Sequence, residues 1–132
     1  MILFLDISNG QTGRIGLISE QGIKKYSWTV DNHLSESLTD KVSEFIKKQK
    51  KSLKDVNKII VVTGPGHFSR IRSGVTTANA LALALNIRVI GVKAQEKYDW
   101  QKLAKLSGKK MVLPFYGKEP NITKAVPKRL KI

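Results

Sequence analysis

The chain has 132 residues, enough for one compact domain with a core and too few for two ordinary ones. Hydrophobic residues make up 41% of it, which points to a globular fold, and the absence of cysteine excludes disulfides, thiolate metal sites and cysteine nucleophiles. The net charge of +14 is uneven: residues 1–92 carry 13 Lys and Arg against 7 Asp and Glu, and residues 93–132 carry 11 against 3, a basic tail that suits RNA, an acidic protein or solubility alone.

Residues 1–7 form a continuous apolar run interrupted only by Asp6, which predicts a buried strand. The run is too short for a signal-peptide core and has no basic segment before it. The longest later apolar stretch, 78–87, contains Asn79 and Asn86 and cannot span a bilayer. The expectation is a cytoplasmic protein with no membrane contact. Residues 10–13 read as a turn, 14–19 as a second strand and Gln21-Gly22 as a hairpin turn. In 23–30, Tyr26, Trp28 and Val30 share one face by the strand period of two. Three strands joined by two tight turns predict an antiparallel meander.

A helix follows, since Leu34, Leu38, Val42, Phe45 and Ile46 recur at helical spacing. Asp31 or Asn32 suits its N-cap, and Lys47, Lys48, Lys50 and Lys51 suit the negative end of its dipole. Residues 52–57 connect it to 58–63, the strongest buried-strand pattern in the chain. That strand runs into Gly64-Pro65-Gly66, a helix over 70–85 and a strand over 88–92. Such a βαβ unit makes its two strands parallel. A third helix is expected over 94–106 and a short strand over 110–114. Beyond Tyr116 the basic sequence, broken by Pro120 and Pro127, predicts an extended tail. The expected fold is thus an α/β mixed sheet of five or six strands, with helices 34–50 and 70–86 side by side.

The chemistry-bearing segment is Thr63-Gly64-Pro65-Gly66-His67-Phe68-Ser69-Arg70-Ile71-Arg72-Ser73-Gly74. Glycines between a strand end and a helix start either cradle an anion with outward N–H groups or simply make a tight turn. No Gly-Lys-Ser/Thr follows, so this is not a Walker-type loop. His33 and His67 are far apart with no carboxylate cluster beside either, so no metal site is predicted. No Ser/His/Asp arrangement stands out.

The longer string resembles the Gly-Pro-Gly-Ser-Phe-Thr-Gly-(Leu/Val)-Arg-Ile-Gly signature of the TsaB (YeaZ) family, with Gly64, Pro65, Gly66, Phe68, Arg72 and Gly74 in register. The likeness continues through Ala78, Leu81 and Ala82 into Asn86-Ile87-Arg88-Val89-Ile90-Gly91-Val92. At the start, Ile2-Leu3-Phe4-Leu5-Asp6-Ile7-Ser8 looks like the family's Ile-Leu-Ala-Ile-Asp-Thr-Ser, and His33-Leu34-Ser35-Glu36 like its His-Ser-Glu. Residues 112–120 look like its closing Pro-x-Tyr-x-Arg-x-Pro. The departures are His67 for Ser, Ser69 for Thr, Arg70 for Gly and Ser73 for Ile.

The resemblance implies a single lobe of the actin-like ATPase (RNase H-like) fold over 1–95. It implies a short remnant of the second lobe over 96–116, then the basic tail 117–132. It also implies a non-catalytic scaffold or activator that binds a TsaD-type threonylcarbamoyltransferase in tRNA threonylcarbamoyladenosine modification. A TsaE-type ATPase is a further possible partner, contact with tRNA is indirect or weak, and no cofactor is expected. Asp6, Ser8, Asn9 and Gly10 are weak candidates for a first phosphate turn, but the sequence has no counterpart of the second turn or the adenine pocket, so ATP turnover is not expected. The helices containing Leu34 and Leu38, and Ile71, Gly74, Val75, Ala78, Ala82 and Leu85, are expected to form the partner interface, and a homodimer in the isolated protein. Two other classes are carried beside this one: an independent RNA-binding module using the basic tail, and a small ATP-binding enzyme.

Overall fold

The computed structural model describes residues 1–30 and 34–108. Strands β1 (Ile2–Asp6), β2 (Thr12–Ser19) and β3 (Gly22–Thr29) come first, followed by helix α1 (Leu34–Lys48). A short 3-10 turn, Leu53–Asp55, leads to β4 (Lys58–Gly64), α2 (Phe68–Leu85), β5 (Arg88–Lys93) and the short helix α3 (Trp100–Ala104). The sheet order is β3-β2-β1-β4-β5. The first three strands pair antiparallel, whereas β1–β4 and β4–β5 are parallel, as the meander and the βαβ unit require. The single actin-like lobe expected from the sequence has this architecture.

Central strands are apolar on both faces because both faces are covered. On one side Leu3, Leu5, Ile59 and Val61 meet Leu38, Val42 and Ile46 of α1 and Ile71, Val75, Ala78 and Ala82 of α2. The two long helices therefore lie on the same face. On the other side Phe4, Ile60, Val62 and Ile90 meet Leu103, with Tyr98 and Trp100 packed against them. Full burial of each large aliphatic side chain contributes about 1.5–3 kcal/mol.

Local chemistry fixes where the helices stop and start. Asn86 adopts the left-handed conformation (φ 55°) at the end of α2, and Ile87 N–H donates to the Ala82 carbonyl at 2.9 Å. The third helix is shorter than the 94–106 expected. Its N-cap is Asp99, whose carboxylate accepts from the Lys102 N–H, while upstream the Ala94 N–H donates to the Gly64 carbonyl. That bond holds residue 94 to the end of β4 and keeps it out of a helix. At the other end of α3, the Lys58 ammonium donates to the carbonyls of Ala104 and Leu106, both at 2.8 Å. The cap at Asp31 or Asn32, His33, the strand over 110–114 and the tail 117–132 lie outside the described residues, as does the Leu34 side chain.

Candidate functional site

Two loops meet at the C-terminal ends of the adjacent parallel strands β1 and β4. The β1–β2 loop is built on Asp6, which is 6% exposed. Its Oδ1 accepts from the Ser8 N–H at 2.9 Å and the Ser8 hydroxyl at 2.7 Å. Asn9 Oδ1 accepts from the N–H groups of Gln11 (2.8 Å) and Thr12 (2.7 Å), closing the turn on its own side chain. The β4–α2 loop crosses a cis Gly64–Pro65 bond, with Gly64 at φ 118°. It then lies directly on the first loop, the His67 N–H donating to the Ser8 carbonyl at 2.6 Å. A Cβ on Gly66 would run into that same carbonyl. A Cβ on Gly10 would lie 2.7 Å from the His67 ring, so the imidazole covers the first turn.

The third contributor comes from beyond β5. The Tyr98 hydroxyl donates to Asp6 Oδ2 at 3.4 Å and accepts from the Gln95 N–H at 3.0 Å. Burial pushes the Tyr98 hydroxyl up to about 12; the Gln95 N–H pulls the other way, and the Asp6 charge adds to the rise. Nothing in the sequence pattern marked Tyr98, because it lies in a stretch read as helix.

Of the predicted site residues, Asp6, Ser8, Gly10, Gly64, Pro65 and Gly66 are thus brought together. Phe68 and Arg72 stand apart, exposed one turn from each other at the start of α2, with the Arg72 guanidinium 5.7 Å from the centre of the Phe68 ring. Gly74 has another role: a Cβ there would lie 2.9 Å from Ile7, so the glycine lets α2 approach the sheet. Among the described residues no three His, Asp or Glu side chains converge in a way that could hold a metal ion.

The flank of α2 expected at a partner interface is turned inward. Ile71, Gly74, Val75, Ala78 and Ala82 are buried within the chain, Leu38 of α1 is fully buried opposite them, and Leu85 is half-buried against the same core. The small residues admit the sheet and α1, which periodicity alone could not distinguish from a partner. The outward face of α2 carries Phe68, Arg72, Thr76, Ala80, Leu83 and Ala84 instead, with Leu83 83% exposed.

Comparison with known proteins follows the same lines. The family model described as "TsaD: tRNA N6-adenosine threonylcarbamoyltransferase" matches residues 28–98. The tRNA threonylcarbamoyladenosine biosynthesis protein TsaB of Bacillus subtilis (strain 168) is 30% identical over 95 residues, 72% of this chain and 42% of that protein. The structure of YeaZ from Pseudomonas aeruginosa superposes with a TM-score of 0.64 at 25% identity, covering 70% of this chain and 44% of that one. A second Pseudomonas aeruginosa structure, of a protein with similarity to peptidase YeaZ, gives 0.65 at 24% identity over 70% and 42%, a likeness of fold. The chain therefore spans less than half the length of these relatives.

Proposed function

The chain belongs to the TsaB (YeaZ) family and matches the TsaD family model over residues 28–98, and on that footing we propose that it is a non-catalytic subunit for tRNA threonylcarbamoyladenosine synthesis. In this reading it binds and supports a TsaD-type threonylcarbamoyltransferase in the cytoplasm. Residues 1–95 are the lobe that does so, 96–116 a short remnant of a second lobe, and 117–132 the basic tail. The observation that carries the non-catalytic reading is the junction of the two loops. The candidate phosphate turn is satisfied from within: Asp6 by Ser8, Asn9 by its own backbone, and the Ser8 carbonyl by the His67 N–H. The His67 ring lies over Gly10, where a phosphate would need open backbone N–H groups.

The outward face of α2 supports the partner role. Leu83 and Phe68 are the large hydrophobic side chains left exposed among the described residues, and both lie on this helix. Between them Thr76 and Ala80 leave a low surface on which a second helix can lie closely. Without its partner, the same face pairs two copies of the chain about a two-fold axis, because such a contact is self-complementary. Docking of a TsaE-type ATPase onto the assembled pair, and a weak or indirect tRNA contact, complete the proposal.

The test is co-purification from the native cell of the tagged chain and its Leu83→Arg variant, with mass spectrometry of tRNA nucleosides from cells carrying each. The wild type should retain a TsaD-type protein, and the variant should lose it together with the threonylcarbamoyl mark. A folded variant that holds the partner and the mark at wild-type levels would sink the interface. Calorimetry with ATP and magnesium should show no micromolar binding by the isolated chain; a saturating isotherm would return the reading to a small ATP-binding enzyme.

A further inference from the structure

The second face of the sheet carries a groove of about 580 Å³ that the partner reading does not use. Register sets its floor. Asp6 pairs with Arg14 and Arg14 with Ser27; one row away Phe4 pairs with Gly16 and Gly16 with Lys25. Alternation puts both rows on the face opposite α1 and α2. Gly16 leaves this floor low: a Cβ there would meet Ile23 at 3.3 Å and Phe4 at 3.5 Å. One wall is Lys97, Tyr98 and Trp100, from the segment after β5.

The aromatic rings form one cluster. Phe4 lies 5.0 Å from Tyr98 and 4.9 Å from Trp100, both edge-on, and Tyr98 lies 5.6 Å from Trp100. Phe4 is buried behind the other two, whereas Tyr98 and Trp100 are each only half-buried and line the groove. Three cations, Arg14, Lys25 and Lys97, stand around these rings; against them are Glu96 in the lining and Asp6, which is buried at the end of the floor with its carboxylate on the Tyr98 hydroxyl. Half-exposed rings flanked by cations suit a planar base joined to a phosphate.

We infer that this groove binds a segment of single-stranded RNA, with a base against Trp100 and Tyr98 and the flanking phosphates on Arg14, Lys25 and Lys97. Two features favour a strand over a free nucleotide. The glycine loops that could cradle a terminal phosphate are packed on each other at the end of the sheet. In addition, the chain's charge of +14 attracts a polyanion far more strongly than a mononucleotide. The inference stands apart from the partner reading, because it rests on the groove, the closed loops and the chain's charge and not on the outward face of α2.

The experiment uses the full chain and a fluorescently labelled single-stranded oligoribonucleotide roughly ten nucleotides long, the order of known single-strand sites. Anisotropy should show saturable binding that weakens as salt rises. In a Trp28→Phe background Trp100 is the remaining tryptophan of the two, and its emission should be quenched by the RNA. The double reversal Arg14→Glu, Lys25→Glu should lower affinity at least about tenfold. The control Lys47→Glu, Lys48→Glu, an equal charge change at the end of α1 on the other face, should lose clearly less. Absence of binding, binding without Trp100 quenching, or equal losses in the two double variants would overturn the proposal. Displacement of the RNA by micromolar AMP or ATP would also overturn it, by making a free nucleotide the ligand. Failure of the partner proposal would leave each of these readings unchanged.

Discussion

At the junction of the two loops a side chain on Gly66 would run into the Ser8 carbonyl, which already accepts from His67. Backbone cannot step aside as a flexible side chain can. Gly66→Ala should therefore cost about 1–3 kcal/mol, the usual price of overpacking, and lower the urea midpoint without changing the slope. Tyr98 offers a second reading of the same neighbourhood. Its hydroxyl is raised to about 12, so the folded state holds that proton more tightly than the unfolded chain does. Stability from this group is fully present below pH 10, the ordinary tyrosine value, and is lost as pH climbs through about 12. An ultraviolet difference titration should show a late tyrosine step near pH 12, and Tyr98→Phe should remove it. A late step that survives the substitution would assign it to another residue.

At the scale of the element, α2 separates two properties that its sequence blends. Ala78 is fully buried and Leu83 is 83% exposed, although both sit in one run of small and apolar residues. Ala78→Arg would force a charge into the contact of α2 with α1 and the sheet, at a cost above roughly 4 kcal/mol, and the protein should fail to fold by circular dichroism. Leu83→Arg should change stability by no more than about 0.5 kcal/mol, because it replaces one solvated side chain by another. Were the Ala78 variant as stable as the wild type, the inward assignment of that flank would be wrong. The third helix makes a related point. The sequence alone suggests a start at residue 94, but the Ala94 N–H goes to Gly64 and the Gln95 N–H to Tyr98, leaving Asp99 to begin it. Each competing bond comes from a residue distant in sequence or from a side chain, and neither enters a helical pattern.

At the scale of the whole molecule the charge of +14 opposes self-association. If two copies meet across the outward face of α2, salt should strengthen the dimer by screening their repulsion, within a Debye length of about 8 Å at physiological strength. Sedimentation of the isolated chain should therefore show more dimer at high salt than at low, and none for Leu83→Arg. RNA binding in the groove should respond in the opposite direction, since there the charge is attractive. A dimer that dissolves on adding salt would place the contact on charged surface elsewhere.

The sequence by itself determined the order of strands and helices, the antiparallel start, the parallel βαβ unit and the family. These follow from residue spacing, from turn residues such as Gln21-Gly22 and from the Gly64-Pro65-Gly66 string, all of them local. It also placed Asp6, Ser8 and Gly10 in one turn, because they are neighbours in the chain. Only the tertiary structure decided what each of these touches. Asp6 and Tyr98 are 92 residues apart, and no local pattern relates them. The same holds for Gly10 under the His67 ring, and for the groove of Arg14, Lys25 and Trp100, which depends on strand register. Helical periodicity showed that α2 is apolar on several sides, but only packing could say which side meets its own sheet. A buried flank and a partner flank are built from the same small residues, and what distinguishes them is the chain that lies opposite.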